Sequence, residues 1–327
     1  YKGLGTSTAK EFKEYFAKKK IVKFIHTEQS DDAIDRVFNK KRTDDRKYWL
    51  ANYDRTKYLN TSSDSVSYEE FIDNEMIHFS KYDCDRSIPN MMDGLKLSLR
   101  KILYSAFKKK LTTDIKVAQF SGYVSEHSAY HHGEQSLNGA IINLAQDYVG
   151  SNNINLLVPN GQFGSRLQGG KDSASERYIY TRLSPETRRI FLIEDDPILK
   201  YLDDDGFSVE PIYYIPIIPL ILVNGGQGIG TGFSSDIQSY KLEDIISRLK
   251  QLMNKETLTR FKMVPYYRGF KGTIEQIEDM KYASNGNIIV KNDTITIVEL
   301  PIGTWNEPYI VFLEKCLEEK KYGLKDY

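Results

Sequence analysis

Arg177-Tyr178-Ile179-Tyr180-Thr181 is a short β-like stretch, and the chain just before it decides the fold. Upstream runs a glycine-rich loop that carries Pro159-Asn160-Gly161-Gln162-Phe163-Gly164 and then Gly169-Gly170-Lys171-Asp172. Before that loop come three helical patterns, at about 91–109, 116–127 and 134–149. The last follows Gly133 and repeats Leu137, Ile141, Leu144, Ala145 and Tyr148 at the spacing of one helix face. Three short helices on tight connections are compatible with a helix-turn-helix unit. A strand that comes after them and a glycine loop would be the wing of a winged-helix domain. Beyond it, Ser184-Pro185-Glu186 restarts a helix with Pro in its first turn.

Pro89 ends an extended piece ahead of the helices, and residues 31–80 are charged and mostly helical. There Lys40-Lys41-Arg42 and Asp44-Asp45-Arg46-Lys47 read as a solvated helix surface. Ser65 to Asp73 starts another helix, with Tyr68, Phe71, Met76 and Phe79 on its buried face. Residues 1–26 read as loop, helix and strand. Thr6-Ser7-Thr8 offer capping hydroxyls, Glu11 completes a capping box with Thr8, and Phe12, Tyr15 and Phe16 form an apolar stripe. Ile21 to Ile25 is a short strand, and an opening inside a motif leads us to expect that the chain begins within a larger domain. On the other side, residues 215–223 read as an apolar strand with prolines near its ends, followed by a glycine loop at 225–232. A helix at about 241–254, short strands from about 270 to 300 and a final helix from about 305 complete the chain.

A chain of 327 residues allows two or three domains, and 40% apolar residues support packed cores. Cys84 and Cys316 exclude a disulfide scaffold and fit a reducing compartment. The longest apolar stretch, Ile215 to Val223, is far short of the ~20 residues of a membrane span. Tyr1 is not followed by a charged leader and apolar core, so a signal peptide is not expected. The 45 basic and 45 acidic side chains cancel, so any basic surface must arise by segregation. Between Arg86 and His132 there is such a bias: Arg86, Lys96, Arg100, Lys101, Lys108, Lys109, Lys110 and Lys116 face only Asp93, Asp114 and Glu126. This suits phosphate binding, and equally a merely soluble helix surface.

The loop at 225–232 does not open directly into a helix, as a dinucleotide turn must, so a nucleotide-dependent oxidoreductase is a weak reading. No phosphate loop for ATP is present. His131-His132 are adjacent and cannot chelate one metal from a helix face. Tyr178 is one of 23 tyrosines, and what raises it above the others as a candidate nucleophile is its company: Arg177, the Lys171-Asp172 loop and the preceding helix-turn-helix-like unit.

These strings together resemble the type IIA DNA topoisomerases, specifically the eukaryotic-type single-chain enzymes. The resemblance is carried by Tyr1-Lys2-Gly3-Leu4-Gly5-Thr6-Ser7-Thr8, Arg86-Ser87-Ile88-Pro89, Asp93-Gly94-Leu95-Lys96 and Ala129-Tyr130-His131-His132-Gly133-Glu134-Gln135-Ser136-Leu137. The glycine loop motifs, Arg177 to Thr181, Leu222-Val223-Asn224-Gly225 and Gly228-Ile229-Gly230-Thr231-Gly232 continue it in order, almost end to end.

The resemblance implies a multidomain α+β chain: the end of a TOPRIM domain at 1–26, a helical connection at 27–78, a winged-helix (CAP-like) DNA-gate domain at 79–218 and a mixed α/β tower at 219–327. It implies Tyr178 as the nucleophile, Arg177 as its partner and His132 beside the scissile phosphate. Arg86, Lys96, Arg100, Lys101, Gln135, Ser136 and Lys171 fall on DNA-binding positions, and Ile229 on an isoleucine that inserts between base pairs. A phenol ionises only near pH ~10, so it needs a cation or base at hand. Arg177 supplies fixed charge and His132 a hydrogen bond. The implied partners are double-stranded DNA and a second copy of the chain. The implied cofactors are magnesium, on acids upstream of Tyr1, and ATP, on another domain; the clusters at 194–196 and 203–205 read as solvated turns. The expected location is the nucleus for a cellular eukaryote, or host cytoplasm, viral factory or virion for a virus. Leu95-Lys96-Leu97-Ser98-Leu99-Arg100-Lys101 departs from the family's Leu-Lys-Pro-Gly-Gln-Arg-Lys, which puts one polar DNA contact in doubt and suits a divergent lineage, a protist or a large DNA virus. The alternative is a winged-helix module that grips and bends DNA without cutting it.

Overall fold

The computed structural model describes residues 7–60, 62–257 and 263–327, so the string Tyr1 to Thr6 lies outside the described residues. The chain divides into two compact units, residues 1–84 with 229–234, and residues 85–228 with 235–327.

In the first unit, α1 (Ala9–Ala17) carries the expected capping box: Thr8 and Glu11 bond each other's backbone N–H through their side chains. Strand β1 (Lys23–Ile25) is followed by α2 (Ser30–Phe38) and α3 (Thr43–Ala51). The helix expected from Ser65 begins later. Ser65–Ser67 is instead β2, parallel to β1, with Val66 turned inward. Ser67 then caps α4 (Tyr68–Phe71) in a second capping box with Glu70. A π-helical turn, Ile72–Met76, leads into α5 (Ile77–Ser87). The wider turn shifts the phase of α5 by roughly one residue, about 100° of rotation. Phe79, expected inside, is therefore 49% exposed, while Ile72, Ile77 and Ser80 are buried. Ala33, Val37 and Trp49 complete this small core. The charged run is a surface only in part. Arg42 is ion-paired to Asp32, Asp35 and Asp45, but Arg46 is buried.

The second unit is built on α6 (Leu97–Lys108). The helix expected from about 91 starts six residues later, because Asn90 to Leu95 form a turn closed by the Gly94 N–H on the Asn90 carbonyl. Gly94 has φ +71, and a Cβ there would lie 2.7 Å from the Ile221 backbone nitrogen. Ile102, Leu103, Ala106 and Phe107 form the buried face of α6. Lys110 ends it at φ +51, and the Leu111 N–H reaches back to the Ala106 carbonyl. Strand β3 (Ile115–Lys116), α7 (Val117–His127) and α8 (Glu134–Ala145) come next. The helices bury Val117, Phe120, Val124, Leu137 and Ile141 in one core with α6. β3 pairs antiparallel with β4 (Tyr180–Thr181), in the register Ile115 to Thr181 and Lys116 to Tyr180.

After β4 come the short α9 (Thr187–Ile190) and the hairpin of β5 (Tyr201–Asp204) and β6 (Phe207–Pro211). The expected strand at 215–223 is not one. Its end folds as α10 (Leu220–Asn224), with the Leu222 N–H on the Pro219 carbonyl. A short, wholly apolar run has no periodicity to separate helix from strand. β7 (Gly226–Gly230) and β8 (Phe233–Ile237) form a two-stranded sheet, followed by α11 (Leu242–Met253). Two further antiparallel pairs, β9 (Thr273–Glu278) with β10 (Lys281–Asn285) and β11 (Asn287–Lys291) with β12 (Thr294–Glu299), precede α12 (Asn306–Glu318).

Two buried ion pairs fix α6 to the segment after β5. The Asp93 carboxylate, fully buried, accepts from Arg100 at 2.7 and 3.1 Å and from the Leu95 and Tyr214 backbone N–H groups, both at 2.9 Å. Lys101 donates to Glu210 at 2.8 Å and to the Ser128 carbonyl. Asp93→Ala is expected to lower the unfolding free energy by about 3–5 kcal/mol, since it strands a buried guanidinium. Denaturant unfolding followed by circular dichroism measures this.

Candidate active site

Of the β-like stretch 177–181, only Tyr180 and Thr181 join the ladder. The preceding residue, Ile179, is the anchor: it is 1% exposed, and its carbonyl accepts the Val117 N–H at 3.0 Å. The Tyr180 N–H and carbonyl exchange bonds with Asn160. Tyr178 leaves the sheet, its N–H donating to the Ser175 carbonyl at 2.9 Å, and its side chain is 74% exposed. The Arg177 side chain is exposed beside it. Anchored at one residue and free at the next, the phenol is presented on an open surface, where a bulky substrate can reach it.

The two glycine motifs form the platform for this turn. Gly161 has φ +112, and a Cβ there would lie 2.9 Å from Ile179 Cγ2, so a side chain would push on the anchor. Gly164 backs onto Gly170, and a Cβ on it would meet the Gly170 carbonyl at 2.5 Å. Asp172 ties the loop together by accepting from the Ser165 N–H at 2.8 Å, from the Ser165 hydroxyl and from Gln162. These Ser165 bonds hold its carboxyl below the usual carboxylate range. Lys171 is left exposed next to it. Asp114 buttresses the other flank, accepting from Asn160 at 2.8 Å and Arg182 at 2.6 Å.

His132 lies in the connection between α7 and α8, half-buried, its ring edge-on to Tyr130 at 5.4 Å. Gly133 caps α8 without a side chain, and Glu134, Gln135 and Ser136 are exposed in its first turn. Arg86 at the end of α5 and Lys96 at the N-cap of α6 are half-buried. Arg100 and Lys101 sit differently from the other cations. Both were expected on DNA-binding positions, but both head groups are turned into the core against Asp93 and Glu210, and neither faces solvent. The basic bias is thus carried outward by fewer residues, Lys108, Lys109 and Lys110 among them. Ile229, on β7, is 82% exposed. Gly228 beside it abuts the motif Arg86 to Pro89: a Cβ there would sit 2.5 Å from the Ser87 carbonyl oxygen.

Sequence reasoning missed Asp93, Glu210, Asp172 and Asp114 as the acids that hold the site's frame. Asp93 and Arg100, two turns apart around a bend, left a faint signal; Glu210 lies 109 positions from Lys101 and left none. Among the described residues no three His, Cys, Asp or Glu side chains group to hold a metal ion.

Residues 86–327 match the family model that describes the A subunit of DNA gyrase and topoisomerase IV, and residues 1–84 the C-terminal associated domain of TOPRIM. Similar curated proteins include DNA topoisomerase 2 of Plasmodium falciparum, 52% identical over 99% of this chain and 23% of that protein. DNA topoisomerase 2 of Arabidopsis thaliana is 52% identical over 96% of this chain and 22% of that protein. The enzyme of Saccharomyces cerevisiae is 50% identical over 93% and 22%. The chain thus spans about a quarter of the length of the curated relatives it matches. Among solved structures, the Plasmodium falciparum topoisomerase II DNA-binding, cleavage and re-ligation domain superposes with a TM-score of 0.84, at 52% identity, covering 100% of this chain and 45% of that one.

The platform generates two expected outcomes. Gly161→Ala, strained at positive φ, should destabilise the fold by about 1–3 kcal/mol and expose residues 175–181 to protease. Asp172 titrates lower folded than unfolded, so its stabilisation is present above about pH 4 and is lost as pH falls through the folded value. Hydrogen exchange across 162–172, corrected for intrinsic rate, should therefore be flat from about pH 7 to pH 5 and rise below about pH 4, while Asp172→Asn should raise it at neutral pH.

Proposed function

The chain belongs to the type II DNA topoisomerases, and from that premise we propose that it is the DNA-cleavage and religation core of an ATP-dependent enzyme of this kind. The observation that carries the reading is the Tyr178 turn: a phenol lifted out of a ladder by a buried neighbour, beside an exposed arginine.

Those groups dictate the chemistry. The Tyr178 oxygen attacks a backbone phosphorus, losing its proton as the new O–P bond forms. The bond to the 3′ oxygen breaks, and that oxygen takes up a proton. The product is a 5′-phosphotyrosine. One phosphodiester has replaced another, so the bond energy is kept, and the 3′ hydroxyl reverses the step with no further reactant. The Arg177 guanidinium meets the charge that builds on the phosphoryl oxygens. His132 donates a hydrogen bond to one of them. Gln135 and Ser136, in the first turn of α8, bring side-chain donors and the positive end of a helix to the backbone. Arg86, Lys96 and Lys171 position the duplex by charge. Ile229, exposed on a glycine-flanked strand, wedges between base pairs and bends the duplex.

In a homodimer, each Tyr178 opens one strand, and a second duplex passes through the staggered break. No step here runs through ATP or magnesium. The site of action is the nucleus of a eukaryotic cell; among the described residues no helix is long and apolar enough to cross a membrane.

Full-length enzyme carrying Tyr178→Phe should form no covalent protein–DNA adduct after denaturant trapping, while DNA affinity stays within about threefold of the parent. Adducts at the parent level would overturn the assignment. Bent DNA that neither protein ever cleaves would make the chain a binding module instead.

A further inference from the structure

The segment Ile229–Ser234, which is the end of β7, the start of β8 and the turn between them, belongs to the first unit, while the rest of both strands belongs to the second. Within that unit it is fastened at three points. The Thr231 hydroxyl donates to Asp83 at 2.8 Å. The Cys84 thiol donates to the Thr231 carbonyl at 3.7 Å. Gly232, at φ +80, lies flat on Arg46: a Cβ there would sit 2.9 Å from Arg46 Nε and 3.0 Å from its Cδ.

Arg46 cannot move aside to make room. It is 5% exposed, and its guanidinium donates to the carbonyls of Arg36 and Asn39 and to the Thr43 hydroxyl. Its Nε, the edge facing Gly232, has no hydrogen-bond partner and is buried. A buried arginine that leaves a donor unmade gives up hydrogen-bond energy at that position. In exchange it presents a flat surface to a glycine backbone. The sequence reading missed this, because Arg46 sits in a charged run that looks like ordinary helix surface.

We propose that Arg46, Asp83 and Cys84 are positioning residues that brace the 229–234 segment, so that the first unit, and not the two strands alone, aims Ile229 at the duplex. A two-stranded ribbon is marginal by itself. Driving a side chain between stacked bases costs free energy, and a loose tip would bend back instead. The brace supplies the rigidity. This inference rests on the wedge reading of Ile229, and the test separates the two.

Full-length enzyme is bound to a short duplex with a fluorophore at each end, and bending is read as energy transfer at saturating protein. Ile229→Ala should reduce the bend; an unchanged bend would sink the wedge reading itself. Given that reduction, Thr231→Val, which deletes only the hydroxyl bond to Asp83, and Gly232→Ala, which collides with Arg46, should each reproduce at least about half of it, with DNA affinity within about threefold. Thr231→Ser should restore the bend. A bend lost with Ile229→Ala but intact in both brace variants would overturn the brace alone. Melting temperature is followed in parallel, and a general loss of structure would lower affinity and bending together. If Gly232→Ala does not fold, Thr231→Val decides the outcome.

Discussion

Two buried charges on one helix hold the second unit in shape. Arg100 and Lys101 are neighbours on α6, and each finds its own carboxylate in the core, Asp93 and Glu210. One acid precedes α6 in the chain and the other follows it on β6, and Asp93 also receives the backbone N–H of Tyr214. Stripped of partners, such groups would be very unfavourable in a core. The Asp93 pair is satisfied only when α6, the turn at 90–95 and Tyr214 are in place, and the Lys101 pair only when α6 and β6 are, so together they check the arrangement. They also explain why α6 can carry so many basic residues without scattering them all on the surface.

The site is held by an economy of the same kind. Nothing large encloses Tyr178. Its placement comes from Ile179 in the core, from the two bonds between Tyr180 and Asn160, and from a glycine at 161 that leaves room for the anchor. An exposed phenol on a rigid base leaves room for a bulky partner. Asp172 and Asp114 work at one remove from the chemistry, keeping the loop and the strand where the anchor needs them.

Much of this was legible in the chain. The helices at 97–108, 117–127 and 134–145 show as apolar repeats, and the capping box at Thr8 and Glu11 is readable from spacing alone. Tyr178 stands out in the sequence because Arg177 and the glycine motifs stand in order around it, and the structure presents it exposed. The reading failed where the physics is not local. A π-helical turn at 72–76 rotated Phe79 outward, and no residue pattern announces such a turn. The apolar run ending at Val223 became a helix, since hydrophobicity without period carries no preference. Arg100, Lys101 and Arg46 looked like surface cations, and only tertiary packing shows them inward. A basic residue in sequence says that a charge exists, not which way it faces.

The alternation around Ile179 has a further consequence. Side chains along an extended chain change faces at every step. A single residue gained or lost between Ile179 and Tyr180 would shift the register on β3 and swap inside for outside, leaving isoleucine on the rim. Variants of this stretch should therefore keep one spacing between the exposed phenol and its buried neighbour, as a ruler may be repainted but not cut.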